Sequence, residues 1–104
     1  MIIQEVTGAA IVPYDEEQLQ LTISYSLGSD EVVLIRRSSL FIETVGEQVK
    51  ISWNNYGANP KFEFRYIDYS LFTYPVTTSA DSLRVTLQQM SLPYQPYYRS
   101  FQFL

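Results

Sequence analysis

The stretch Leu19-Gln20-Leu21-Thr22-Ile23-Ser24-Tyr25-Ser26-Leu27 decides the fold class. Apolar and polar residues alternate there one for one, a period of two that puts every second side chain on the same side of an extended backbone. Such a segment is a strand with one buried face. Gly28-Ser29-Asp30 follows; glycine tolerates positive φ and an aspartate bonds its own backbone, so the chain turns tightly at this point. Glu31 to Arg36 then pairs back. Its run Val32-Val33-Leu34-Ile35 is apolar on both faces, which predicts a central strand or one covered by another chain.

Toward the C-terminus the same pattern recurs. Arg37-Ser38-Ser39 breaks the run, and Leu40 to Thr44 resumes it with Leu40 and Ile42 on one face and Phe41 on the other, as a bulge or a crossing between sheets requires. After the turn Val45-Gly46-Glu47, Val49, Ile51 and Trp53 alternate with Lys50 and Ser52. Asn54 to Pro60 is dense in turn formers and carries Tyr56. Phe62, Phe64 and Tyr66 then alternate with Lys61, Glu63 and Arg65, but Ile67, Tyr69 and Leu71 occupy the phase that had been polar. A one-residue slip exchanges the faces, so this predicts a bulge near Ile67 and a strand that changes sheets. Beyond Pro75, Thr77 to Asp81 reads as a polar connection and Leu83, Val85 and Leu87 as a further alternating strand.

Toward the N-terminus an apolar stretch from Ile2 to Val12 stops at Pro13, and only Asp15 to Gln20 has the make-up of a helical turn. Seven to eight short strands at this spacing predict an all-β fold, an antiparallel β-sandwich or jelly-roll-like arrangement, with a small closed barrel as the alternative. At 104 residues the chain has the length of a single β domain, 1–104, with 91–104 as a C-terminal arm or last strand.

Composition narrows the chemistry. There is no cysteine, hence no disulfide framework and no thiolate metal site, and no histidine, the side chain that most often serves as general base or metal ligand. Serines and threonines therefore lack the usual base, and no glycine-flanked nucleophile elbow occurs. The expectation is a non-enzymatic protein with no cofactor and no metal. Seven basic residues against a net charge of −4 give no footprint for a phosphate backbone, so nucleic acid is not the expected partner. Glu5 and the lack of a basic region near Met1 predict no signal peptide, and no window has the length of an apolar membrane span. The expected location is soluble: a virion if the protein is viral, the cytoplasm otherwise.

Three patches invite a functional reading. Asp15-Glu16-Glu17 lacks the spaced ligands and glycine of a calcium loop and reads as solvated charge. Arg36-Arg37 suits either a clamp for a carboxylate or a charged guard on a sheet edge, the guard being favoured. Asn54, Asn55, Tyr56 and Asn59 combine an aromatic ring with amides, the mix that recognises sugars or peptides, while Trp53 belongs by alternation to the core.

The tail from Leu92 carries Tyr94, Tyr97, Tyr98, Arg99, Phe101 and Phe103 among two prolines. Rings of this size are worth about 1.5–3 kcal/mol each when buried, so they need cover, either in the chain's own sheet or as an arm on a neighbouring subunit. With 15% aromatic residues in so short a chain, the preferred expectation is a structural or interaction protein that forms a homo-oligomer or docks on a larger assembly. A virus-particle accessory subunit, a capsid decoration or tail component, is the favoured case. A carbohydrate- or peptide-binding module using the Tyr56 loop is the competing one.

Overall fold

The computed structural model describes residues 4–73 and 79–91. These are mostly β-structured and form two antiparallel three-stranded sheets and one short helix. The first sheet is a meander of β1 (Val6–Pro13), β2 (Gln18–Tyr25) and β3 (Glu31–Arg36), with β2 central. The second is a meander of β4 (Phe41–Val45), β5 (Gln48–Asn55) and β6 (Lys61–Asp68), with β5 central. The helix α1 spans Ala80–Ser91.

The alternation in β2 does what its period requires. Leu19, Leu21 and Ile23 are fully buried, and the register sets Ala9 and Ile11 of β1 against Ile23 and Leu21, with Ile35 of β3 against Leu19. Ile42, Val49, Ile51, Trp53 and Ile67 supply the inner side of the second sheet, and both sets belong to one hydrophobic core together with Leu83 and Leu87 of α1. The hairpins turn where glycine permits: Gly28 and Gly46 both take positive φ. Of the bulge or crossing expected after Arg36, it is the crossing that occurs, as a 3₁₀ turn, Arg37–Ser39, that carries the chain from the first sheet to the second.

Several expectations are corrected. Six strands, not seven to eight, occur among the described residues, and neither sheet closes into a barrel. Leu83, Val85 and Leu87 lie on a helix. Leu83 and Leu87 satisfy both periods, but Val85 is exposed, and the buried set Ala80, Leu83, Leu87 and Ser91 follows the spacing of one helix face. Ser79 starts the helix, its Oγ accepting from the Ser82 amide at 3.1 Å. Ser91, expected to open the C-terminal arm or last strand, ends this helix.

Asp15 to Gln20 is not a helical turn. The Asp15 carboxylate accepts from the amides of Glu17 and Gln18 at 2.8 and 2.7 Å, closing the β1–β2 connection, and Gln18 already begins a strand. Among the described residues β3 pairs only with β2, so it is an edge strand rather than a central one, with Ile35 inward and Val32 and Leu34 exposed.

No bulge occurs near Ile67: β5 and β6 pair without a break from Gln48↔Asp68 to Asn55↔Lys61. In this unbroken register Glu63, Arg65 and Ile67 share the inner face. The rings of Phe62, Phe64 and Tyr66 point outward.

A candidate docking face and the seam between the sheets

The outer face of the second sheet is built by that register. Phe41 of β4 lies opposite Ser52 of β5, which lies opposite Phe64 of β6; Asn54 faces Phe62 and Lys50 faces Tyr66. Phe41, Phe62, Phe64 and Tyr66 are 59%, 57%, 42% and 45% exposed, whereas the small Ser52 between two of them is buried. Phe64 and Tyr66 pack with ring centroids 5.6 Å apart. The Lys50 ammonium stands 4.9 Å from the Phe64 centroid and 5.6 Å from that of Tyr66, a cation held over two ring faces. Taking roughly 200 Å² for each of these side chains, the four display about 400 Å² of aromatic surface. That area falls within the roughly 300–600 Å² of the largest apolar patch on an ordinary monomer, a patch that is often functional.

A polar seam joins the inner faces where β3 and β6 approach. Glu31 shares the inner row of β3 with Val33 and Ile35, and Arg65 lies inward on β6. Arg65 Nη2 meets Glu31 Oε2 at 2.5 Å and Arg65 Nε donates to Glu31 Oε1 at 3.3 Å, while the Tyr25 hydroxyl donates to that second oxygen at 2.7 Å. The guanidinium also stacks on Trp53, 5.5 Å from its ring. The hydrogen-bonded Arg65 holds the Glu31 carboxyl below the usual glutamate range, against a smaller opposing effect of burial. Burial, reinforced by Glu31, pushes the Tyr25 phenol up, and the Glu31 hydrogen bond raises Arg65. These groups form a cross-sheet clasp.

Farther along the same seam is a cavity of about 280 Å³, walled by Val33, Leu34 and Arg36 on one side and by Trp53, Asn54 and Tyr56 on the other. Asn55 also lines it and is committed internally: its Oδ1 accepts from the Gly57 amide at 2.8 Å and its Nδ2 donates to Glu63 at 2.8 Å. Of the four residues singled out in the sequence, Asn54, Asn55 and Tyr56 line the cavity, whereas Asn59 is exposed in the loop and does not. Trp53 is core, 2% exposed, and still forms part of the wall.

The arginine pair divides its roles. Arg36 stacks on Tyr56 at 4.7 Å at the wall of the cavity, a contact the sequence does not announce because the two residues are twenty positions apart. Arg37 turns inward, donating to the Met90 carbonyl at the end of α1 and to the Asp15 carbonyl at 3.1 Å. It is an internal tie rather than an edge guard. The proposed partner residues Tyr94, Tyr97, Tyr98, Arg99, Phe101 and Phe103 lie outside the described residues.

Among the described residues no cluster of three acidic side chains is placed to hold a metal ion, and no helix is long and apolar enough to cross a membrane. No protein-family model, curated protein or solved structure matches the chain.

Proposed function

We propose that the protein is a non-enzymatic interaction protein that associates through the outer face of β4, β5 and β6, with a second copy of itself as the occupant. One observation carries this reading: Phe41, Phe62, Phe64 and Tyr66 stand in adjoining register positions on one solvent-facing side while the opposite side of the same sheet is already filled. Burying these rings supplies the driving force. The face also carries charges of both signs, Glu43 beside Lys50 in register and Asp68 at the end of β6. In a two-fold arrangement Lys50 of one copy can therefore answer Glu43 of the other.

The aromatic patch is about half the roughly 800 Å² per partner of a standard interface, so the association is concentration-dependent unless further surface joins it. Within this reading the chain occupies one domain, and its two sheets act as a sandwich-like scaffold. The assembly we favour is a virus particle, with the chain as a decoration or tail accessory subunit. Its support is architectural, the use of compact cysteine-free β-domains in such particles. Amide shifts in ¹⁵N-labelled protein provide the test: raising the concentration should move Phe41, Ser52, Phe62, Phe64 and Tyr66 together and leave β1 and β2 unmoved. A concentration-independent spectrum would contradict the reading.

A second reading, a saccharide-binding module, is favoured by the cavity beneath Tyr56. Asn54 and Arg36 supply polar groups at its wall beside apolar Val33 and Leu34, the combination that orients a small polar ligand.

A further inference from the structure

We infer that the cavity between β3 and the β5–β6 loop is a site for an acidic monosaccharide, a hexuronate, with Arg36 as the residue that takes its carboxylate; this rests on the saccharide reading above. Arg36 stands at the cavity wall. Its guanidinium stacks on Tyr56 at 4.7 Å, and among the described residues no carboxylate lies within ion-pair distance of it. Stacking on a ring leaves the N–H edge of a guanidinium free, and that edge matches a carboxylate with two parallel hydrogen bonds. Held by the ring, the side chain also loses less freedom on binding than a loose arginine would.

The other charge in the cavity does not cancel this one. Glu63 accepts from Asn55 Nδ2 at 2.8 Å and lies 3.9 Å from the Arg65 guanidinium, so its carboxylate is engaged by partners within the fold. The amides of Gln18 and Asn54 line the same space and suit hydroxyls as either donors or acceptors. Size then selects the ligand. About 280 Å³ falls just below the range of roughly 300–1,000 Å³ for drug-sized ligands, which points to one sugar ring rather than a long oligosaccharide buried whole.

The test titrates ¹⁵N-labelled full-length protein with glucuronate, with glucose as its neutral parent, and with acetate as a carboxylate lacking the sugar. The expected result is shifts at Arg36, Asn54 and Tyr56 with glucuronate, at least about tenfold tighter than with glucose or acetate, a preference of about 1.4 kcal/mol. Arg36→Gln should abolish the preference while thermal unfolding stays unchanged. Equal affinity for glucuronate and glucose, or a preference that survives Arg36→Gln, overturns the role of the carboxylate and leaves the saccharide reading standing. Equal binding of acetate and glucuronate shows a carboxylate site without sugar recognition and overturns the inference. Binding of neither sugar overturns the inference and the saccharide reading together. If Arg36→Gln lowers the unfolding temperature, Tyr56→Phe, which keeps the stacking ring, must retain the glucuronate preference; its loss there overturns the inference.

Discussion

Strands β2 and β6 have the same length and nearly the same alternation, yet they use it in opposite ways. β2 turns Leu19, Leu21 and Ile23 into the core and leaves glutamine and threonine outside. β6 turns Phe62, Phe64 and Tyr66 to solvent and faces Glu63 and Arg65 inward. The difference teaches that a period of two fixes extended structure without fixing which side is inside. In β6 the choice is made by tertiary partners: Ile67 fills the core, Arg65 finds Glu31 across the seam, and the rings go to the remaining side. The register runs unbroken along β6, and the three rings are left exposed.

Mutations should separate the two strands cleanly. The largest effect is expected in β2, where Leu21→Ala removes a fully buried side chain and should lower unfolding free energy by about 2–5 kcal/mol in a urea titration. A comparable loss from Phe62→Ala would erase the contrast.

Next comes the clasp that orients β6. Arg65→Met leaves Glu31 without its cation, and because the pair is part-exposed the expected loss is about 1 kcal/mol. Its pH dependence follows from the lowered Glu31 carboxyl. A depressed folded-state value makes the contribution present above the unfolded glutamate range near about pH 4.3, and it disappears as the pH falls through the lower folded value. Glu31→Gln should flatten that part of the stability–pH curve, and an unchanged acid slope would show that the clasp contributes nothing.

The smallest effect on stability is expected from the outward rings. Phe62→Ser together with Phe64→Ser should change unfolding free energy by about 1 kcal/mol or less while removing association. The helix offers a parallel control, since Val85→Ala should stay within about 0.5 kcal/mol and Leu87→Ala should cost about 2–5 kcal/mol. Equal losses at the two positions would return the segment to a strand-like environment.

Much of the fold is legible in the residues. The hairpin turns at Gly28 and Gly46, the strands carrying Leu21 and Ile51, and the sheet crossing after Arg36 all follow from local pattern and turn chemistry. The helix is hidden because Leu83 and Leu87 fit both periods, while the residues that complete its buried stripe, Ala80 and Ser91, are small and carry little hydropathic signal. The Ser79 cap sits within a polar run that also reads as a connection.

The candidate sites divide in the same way. Tyr56 and its asparagines declare themselves by composition, but Arg36 joins them only through packing, and no local pattern brings Glu31 to Arg65. The aromatic face is written in plain sequence as Phe62, Phe64 and Tyr66. Its meaning depends on knowing that the opposite side of the sheet is full.

The central proposal is that these rings form a surface for another copy of the chain, and sedimentation equilibrium across a concentration series measures this directly. The wild-type chain should gain average mass toward that of a dimer as concentration rises, and the Phe62→Ser/Phe64→Ser protein should remain at 12.1 kDa or close to it. A wild-type chain that stays at single-chain mass throughout, or a double variant that associates as strongly as wild type, would contradict it.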